Sequence, residues 1–187
     1  YPLFLKLDGR PCLIVGAGKV AGRKAGPLVR AGAHVAVVAP EACDRIRRYA
    51  ADGALRLEQR EYRPGEAADY FLVVAATSDR DLNGRVSRDA LAAGRLINAV
   101  DMPELCNFYV PSVIRRGELN IALSTSGACP ALARKLREDL EADYPESYAR
   151  LLQKLRAFRG EIIRTVPSEE RRKEILERVV RSDEAAA

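Results

Sequence analysis

Along the first hundred positions, short continuous apolar runs alternate with longer stretches of helical spacing. Residues 12–15 read as a buried strand and residues 20–31 as a helix closed by Gly32. Residues 34–38 form a second strand, ended by Ala39-Pro40, and residues 41–51 a second helix followed by Gly53. Residues 55–58 read as a short strand, and residues 70–76 as the strongest strand in the chain. Residues 81–93 are helical up to Gly94, and residues 96–100 form the next strand. Continuous β-branched runs separated by helices imply strands buried on both faces, so the pattern predicts an α/β fold with a doubly wound parallel sheet.

The pattern changes near Pro111. Residues 119–124 alternate like a strand with one wet face. Leu132, Leu136 and Leu140 define a helix with Pro130 in its opening turn, where a missing N–H costs nothing. Tyr148, Leu151, Leu152, Leu155, Phe158 and Ile162 define a second helix. Ile175, Leu176, Val179 and Val180 define a third, with Ser168 as its expected N-cap. Residues 183–187 are expected to be disordered.

Composition sharpens this picture in three places. Aromatics make up 6% of the chain and Trp is absent, so the core must be aliphatic. The net charge of +5 is spread evenly, with 16 basic and 13 acidic side chains in residues 1–110 and 15 and 13 in the remainder. An even excess gives no dedicated nucleic-acid arm, so no nucleic-acid partner is expected, although it suits a polyanionic small substrate. Cys12, Cys43, Cys106 and Cys129 form no C-x-x-C pair and His34 is the only histidine, so no metal site is expected. Free thiols, an N-terminus without signal-peptide character and no membrane-length apolar run point to the cytoplasm, with no membrane partner.

Gly16-Ala17-Gly18-Lys19-Val20-Ala21 fits G-x-G-x-x-G/A between a strand and a helix. Gly16 permits the tight turn, Gly18 lets the backbone approach a pyrophosphate, and Ala21 is small enough for close helix–sheet packing. Near the second strand's tip, Pro40-Glu41 supplies the one acid able to meet the adenosine ribose; Glu41 equally well begins a helix. No Arg stands at the tip to receive a 2′-phosphate, which favours NAD over NADP. Ala75-Ala76-Thr77-Ser78 and Asn98-Ala99-Val100-Asp101 follow parallel strands, where ligands of open sheets bind; Asp101 also reads as an ordinary turn former. The small polar loop Ser124-Thr125-Ser126-Gly127-Ala128-Cys129-Pro130 reads as an anion site or a helix cap, with Arg115-Arg116 and Arg134-Lys135 as the basic pairs nearest in sequence.

These residues together resemble the precorrin-2 dehydrogenase family, the dehydrogenase and often ferrochelatase module of siroheme synthase. The resemblance runs from Tyr1-Pro2-Leu3-Phe4-Leu5 through the segment from Cys12 to Ala25, Val74-Ala75-Ala76-Thr77, Asn98-Ala99-Val100-Asp101 and Phe108-Tyr109-Val110-Pro111-Ser112. It ends on the segment from Ser124 to Arg134. It implies NAD-dependent oxidation of precorrin-2 to sirohydrochlorin by a homodimer. Residues 1–111 would bind NAD, 112–144 dimerise, and 145–187 shape the substrate cleft. The family's catalytic aspartate falls on Asp101. Its cofactor contacts fall on Lys19, Val20, Pro40, Glu41, Ala76 and Thr77, beside Gly16, Gly18 and Asn98. Ser124, Thr125, Arg115 and Arg134 are the candidates for the tetrapyrrole's carboxylates.

Cys129 departs from the family, standing where relatives often carry Ser or Thr. No methyltransferase region of the fused siroheme synthases lies in these residues, so uroporphyrinogen methylation is not expected of them. Fe²⁺ insertion stays open as a second activity, because monofunctional and bifunctional relatives look alike. A different class, an NAD-sensing module without catalysis, would lack catalytic candidates at the strand ends, and Asp101 speaks against it.

Overall fold

The computed structural model describes residues 1–181 and divides the chain at Val110/Pro111 into two compact units. The first carries strands β1 (Pro11–Val15), β2 (His34–Val38), β3 (Arg56–Glu58), β4 (Leu72–Ala75) and β5 (Leu96–Ala99). Helices α1 (Lys19–Arg30), α2 (Asp44–Ala51) and α3 (Arg80–Ala92) connect them. All five strands are parallel, in the order β3-β2-β1-β4-β5. The chain winds outward from β1 to β3, then crosses to β4 on the other side of β1. The order therefore reverses between β1 and β4, the point at which open sheets bind ligands.

Both faces of the sheet are aliphatic, as the composition requires. Cys12, Ile14, Val35, Val37, Leu72 and Val74 face Ala21, Ala25 and Leu28 of α1 and Ile46 of α2. Leu13, Val15, Ala36, Val38, Val73 and Ile97 pack on the other side with Val86 and Ala90 of α3. Leu13 and Ile14 are fully buried, and each such side chain contributes about 1.5–3 kcal/mol relative to exposure. The register aligns Val15 with Val38 and Ala75, and Ala75 with Ala99, so four strands end on one level.

The second unit opens with an antiparallel hairpin, β6 (Ser112–Arg116) and β7 (Leu119–Leu123), with Ile114 opposite Ile121. Three helices follow: α4 (Pro130–Asp143), α5 (Ser147–Thr165) and α6 (Glu169–Arg181). Ser168 caps the last, its Oγ accepting from the Arg171 N–H at 3.3 Å. The expectation for residues 183–187 falls outside the described residues. Among the described residues, no helix is long and apolar enough to cross a membrane.

One element begins later than its pattern implies. Residues 41–43 are loop, and α2 starts at Asp44. The Cys43 N–H donates to the Ala17 carbonyl at 2.9 Å, and its thiol lies 3.5 Å from the Gly18 carbonyl. These bonds hold the segment extended against the glycine loop, with Cys43 at φ −71° and ψ 160°. Glu41 therefore does not begin the helix.

Candidate dinucleotide and catalytic site

At the end of β1, the Gly16 N–H donates to the Val38 carbonyl at 2.9 Å and the backbone turns at φ +99°. A Cβ on Gly16 would lie 2.5 Å from the Ala76 carbonyl oxygen and 3.0 Å from the Thr77 nitrogen. Gly16 is thus demanded both by its conformation and by the loop that follows β4. Gly18 differs. It has an extended backbone at φ −75°, and a Cβ there meets nothing within 4 Å.

Gly18 is also the N-cap of α1. It offers no capping side chain, and the first turn of that helix holds no acidic residue. The turn's N–H groups and the positive end of the helix dipole are left for an anion. This arrangement fits a dinucleotide pyrophosphate, with Lys19 exposed and Val20 half-buried beside it. Pro40 and Glu41 are exposed in the loop after β2.

Beyond β4, one buried side chain organises the loop. Asn83 of α3 is 2% exposed. Its Oδ1 accepts from the Thr77 N–H at 3.2 Å, and its Nδ2 donates to the Thr77 carbonyl at 3.1 Å. The Thr77 hydroxyl lies 2.8 Å from Asn83 Oδ1 and 2.9 Å from the Asp79 carbonyl. Ala76 is tied back to β1 by its N–H on the Val15 carbonyl at 2.8 Å. Sequence reasoning passed over Asn83. Its signal was a polar residue in register with Val86 and Ala90 on the buried face of the helix.

After β5, the Met102 N–H returns to the Ala99 carbonyl at 3.3 Å and closes a turn. Asp101 sits in it at φ +57°, a conformation that Asp tolerates better than most residues. Its side chain is exposed and makes no hydrogen bond or ion pair with the described residues. The turn and the catalytic candidate are thus one residue. Asn98 Nδ2 donates to the Phe108 carbonyl at 3.2 Å and to Cys106 Sγ at 3.6 Å.

Lys24 of α1 is half-buried and makes no hydrogen bond or ion pair among the described residues. Burial, and then the charge of Arg23, lowers its pKa, while Cys106 and Asp101 are close enough to oppose the shift. A cation therefore stands in the electrostatic neighbourhood of Asp101.

The remaining candidates belong to the second unit. Ser124 and Thr125 turn their hydroxyl oxygens on their own loop, accepting from the N–H of Ser126 and of Cys129 respectively, each at 3.1 Å. These are bonds within the loop and not a helix cap, since α4 has Cys129 as its N-cap and no side-chain cap bond. Arg115 and Arg134 are exposed. Arg116 closes the end of α4, donating to the carbonyls of Tyr144 at 2.6 Å and Glu141 at 3.3 Å. Among the described residues no three His, Cys, Asp or Glu side chains converge as a metal site.

Residues 3–112 match the family described as putative NAD(P)-binding, and residues 116–143 match the central region of sirohaem biosynthesis proteins. The siroheme synthase of Methylobacillus flagellatus is 44% identical over 80% of this chain and 32% of its own length. That of Pseudomonas paraeruginosa is 39% identical over 100% of this chain and 42% of its own length. The chain thus spans about a third of the curated relatives it matches. A solved structure of SirC, a precorrin-2 dehydrogenase, matches 99% of this chain and 91% of its own, at 32% identity and a TM-score of 0.85.

Proposed function

The chain belongs to the precorrin-2 dehydrogenase family of NAD(P)-binding proteins, and on that premise we propose that it oxidises precorrin-2 to sirohydrochlorin with NAD⁺, in siroheme biosynthesis in the cytoplasm. The observation that carries this reading is Asp101: an exposed carboxylate, without a hydrogen bond or ion pair among the described residues, on a positive-φ turn at the carboxyl end of β5, in the unit that bears the dinucleotide loop. An NAD sensor has no need of such a group.

In the reaction the substrate loses a hydride and a proton. NAD⁺, when bound, supplies the hydride acceptor. The backbone N–H groups that follow Gly16, up to Val20, would receive the pyrophosphate, Pro40 and Glu41 the adenosine ribose, and Ala76, Thr77 and Asn98 the nicotinamide end. Asp101 takes the proton on a carboxylate oxygen. The exposed Glu41 carboxylate would repel a 2′-phosphate, so NAD⁺ should bind more tightly than NADP⁺. A tighter NADP⁺ constant would contradict that assignment.

In the second unit, the exposed Arg115 and Arg134 and the hydroxyls of Ser124 and Thr125 are assigned to the substrate's carboxylates. Leu132 and Leu136 of α4 are 48% and 40% exposed, and a symmetric homodimer would cover them. A monomeric mass by light scattering at micromolar concentration would refute the dimer.

The decisive experiment is Asp101→Asn, followed by the absorbance change from precorrin-2 to sirohydrochlorin. Asn tolerates positive φ, whereas Ala there would add about 1–2 kcal/mol of backbone strain and confuse the result. Turnover should fall about 100- to 10,000-fold while NAD⁺ still binds. Near-normal turnover in the folded variant would move the proton acceptor elsewhere. Adding Fe²⁺ to the product mixture tests iron insertion in the same assay.

A further inference from the structure

We propose that Cys106 is a positioning residue for Asp101, fixing the carboxylate through the backbone of its turn; the proposal rests on Asp101 being the proton acceptor. β5 is an edge strand, so the outward N–H and carbonyl of Ala99 have no strand to pair with. Cys106 replaces that strand at this one residue. The Ala99 N–H donates to Cys106 Sγ at 3.1 Å. The thiol proton faces the Ala99 carbonyl at 3.2 Å and the Met102 carbonyl at 3.3 Å. The sulfur thus contacts the backbone on both sides of Asp101. Asn107 completes the edge one pair further back, its Oδ1 accepting from the Ile97 N–H at 2.8 Å and its N–H donating to the Ile97 carbonyl at 3.1 Å.

The arrangement has a mechanical purpose. A residue at φ +57° keeps that conformation only where its surroundings over-determine it. The Asp101 side chain makes no hydrogen bond that would do so, and the Met102-to-Ala99 bond is long at 3.3 Å. The thiol supplies the missing constraint. Burial pushes its pKa up, which keeps it protonated and able to donate. Ala99 is 3% exposed, so water cannot readily replace a lost partner.

Cys106→Val removes both the donor and the acceptor and adds one methyl group, while Cys106→Ser keeps both on a shorter bond. A carboxylate displaced by a fraction of an ångström loses rate without losing the cofactor, and about tenfold in kcat is expected for Cys106→Val, since 1 Å of misplacement costs about 100-fold. The NAD⁺ dissociation constant should change far less than kcat, because Asn98 keeps its shorter bond to the Phe108 carbonyl when its 3.6 Å contact with Cys106 Sγ is lost, and Cys106→Ser should recover most of the rate. In the Asp101→Asn background, Cys106→Val should cost nothing further, because its effect passes through the missing carboxylate. If Cys106→Val lowers the melting temperature but leaves kcat unchanged, or if the two losses multiply in the double variant, the proposal is overturned. Should the valine variant fail to fold, Cys106→Ala puts the same question. A normal rate in Asp101→Asn would overturn the underlying reading and this proposal with it. A slow Asp101→Asn beside a normal Cys106→Val would overturn this proposal alone.

Discussion

The two glycines of the phosphate loop should fail in opposite ways when each is replaced by alanine. At Gly16 the new methyl carbon falls 2.5 Å from the Ala76 oxygen and 2.8 Å from the Ala76 carbon, which are backbone atoms held by the Ala76-to-Val15 hydrogen bond. They cannot swing aside like a side chain. The φ of +99° adds strain for any L side chain, about 1–2 kcal/mol on the left-handed scale. Overpacking adds about 1–3 kcal/mol, so Gly16→Ala should cost about 2–5 kcal/mol in all, or roughly 5–20 °C in melting temperature.

Gly18→Ala meets nothing within 4 Å and sits at an ordinary φ of −75°. Its stability should stay within about 0.5 kcal/mol of wild type. Its methyl instead occupies the space left open for the pyrophosphate. NAD⁺ affinity should drop at least about tenfold, or about 1.4 kcal/mol. Thermal denaturation without cofactor and calorimetric titration with NAD⁺ measure the two effects separately. A Gly18→Ala protein that binds NAD⁺ normally would remove the pyrophosphate from this loop. An unshifted melting curve for Gly16→Ala would refute the contact between the two loops.

Asn83→Ala leaves the Thr77 N–H and carbonyl without their partner, at about 1–3 kcal/mol of stability, and should raise the KM for NAD⁺ several-fold; lost stability with an unchanged KM would confine Asn83 to the fold. Alkaline stability should report on Cys12, whose thiol burial pushes up from 9.0 to about 11. The unfolded chain ionises first, so stability is full below pH 9 and falls by up to about 2–3 kcal/mol as the pH rises towards 11. In urea titrations at pH 8 and pH 11, Cys12→Ala should lose less on the alkaline side than wild type, and equal losses would refute this.

Much of the first unit was legible because its signals are local. A run such as Cys12-Leu13-Ile14-Val15 is apolar at every position only if both faces are covered, and G-x-G-x-x-A between a strand and a helix carries its own geometry. The hairpin strand β6 was not legible. Ser-Val-Ile-Arg-Arg has no clean alternation, and the segment is a strand because β7 pairs with it, Ile114 against Ile121. The start of α2 was misread for a related reason: the bond that keeps Cys43 out of the helix comes from Ala17, 26 positions earlier.

By itself, then, the sequence determined the α/β alternation, the aliphatic core, the phosphate loop and the acid that follows β5. Each depends on residues within a few positions of one another. Only the tertiary structure decided that β4 returns beside β1, so that Gly16 meets Ala76 across 60 positions. It also decided that Asn83 serves Thr77, that Cys106 closes the edge at Ala99, and that Asp101 carries a left-handed backbone. Such roles arise where a buried polar group must find a partner, and the nearest one is set by how the strands are ordered.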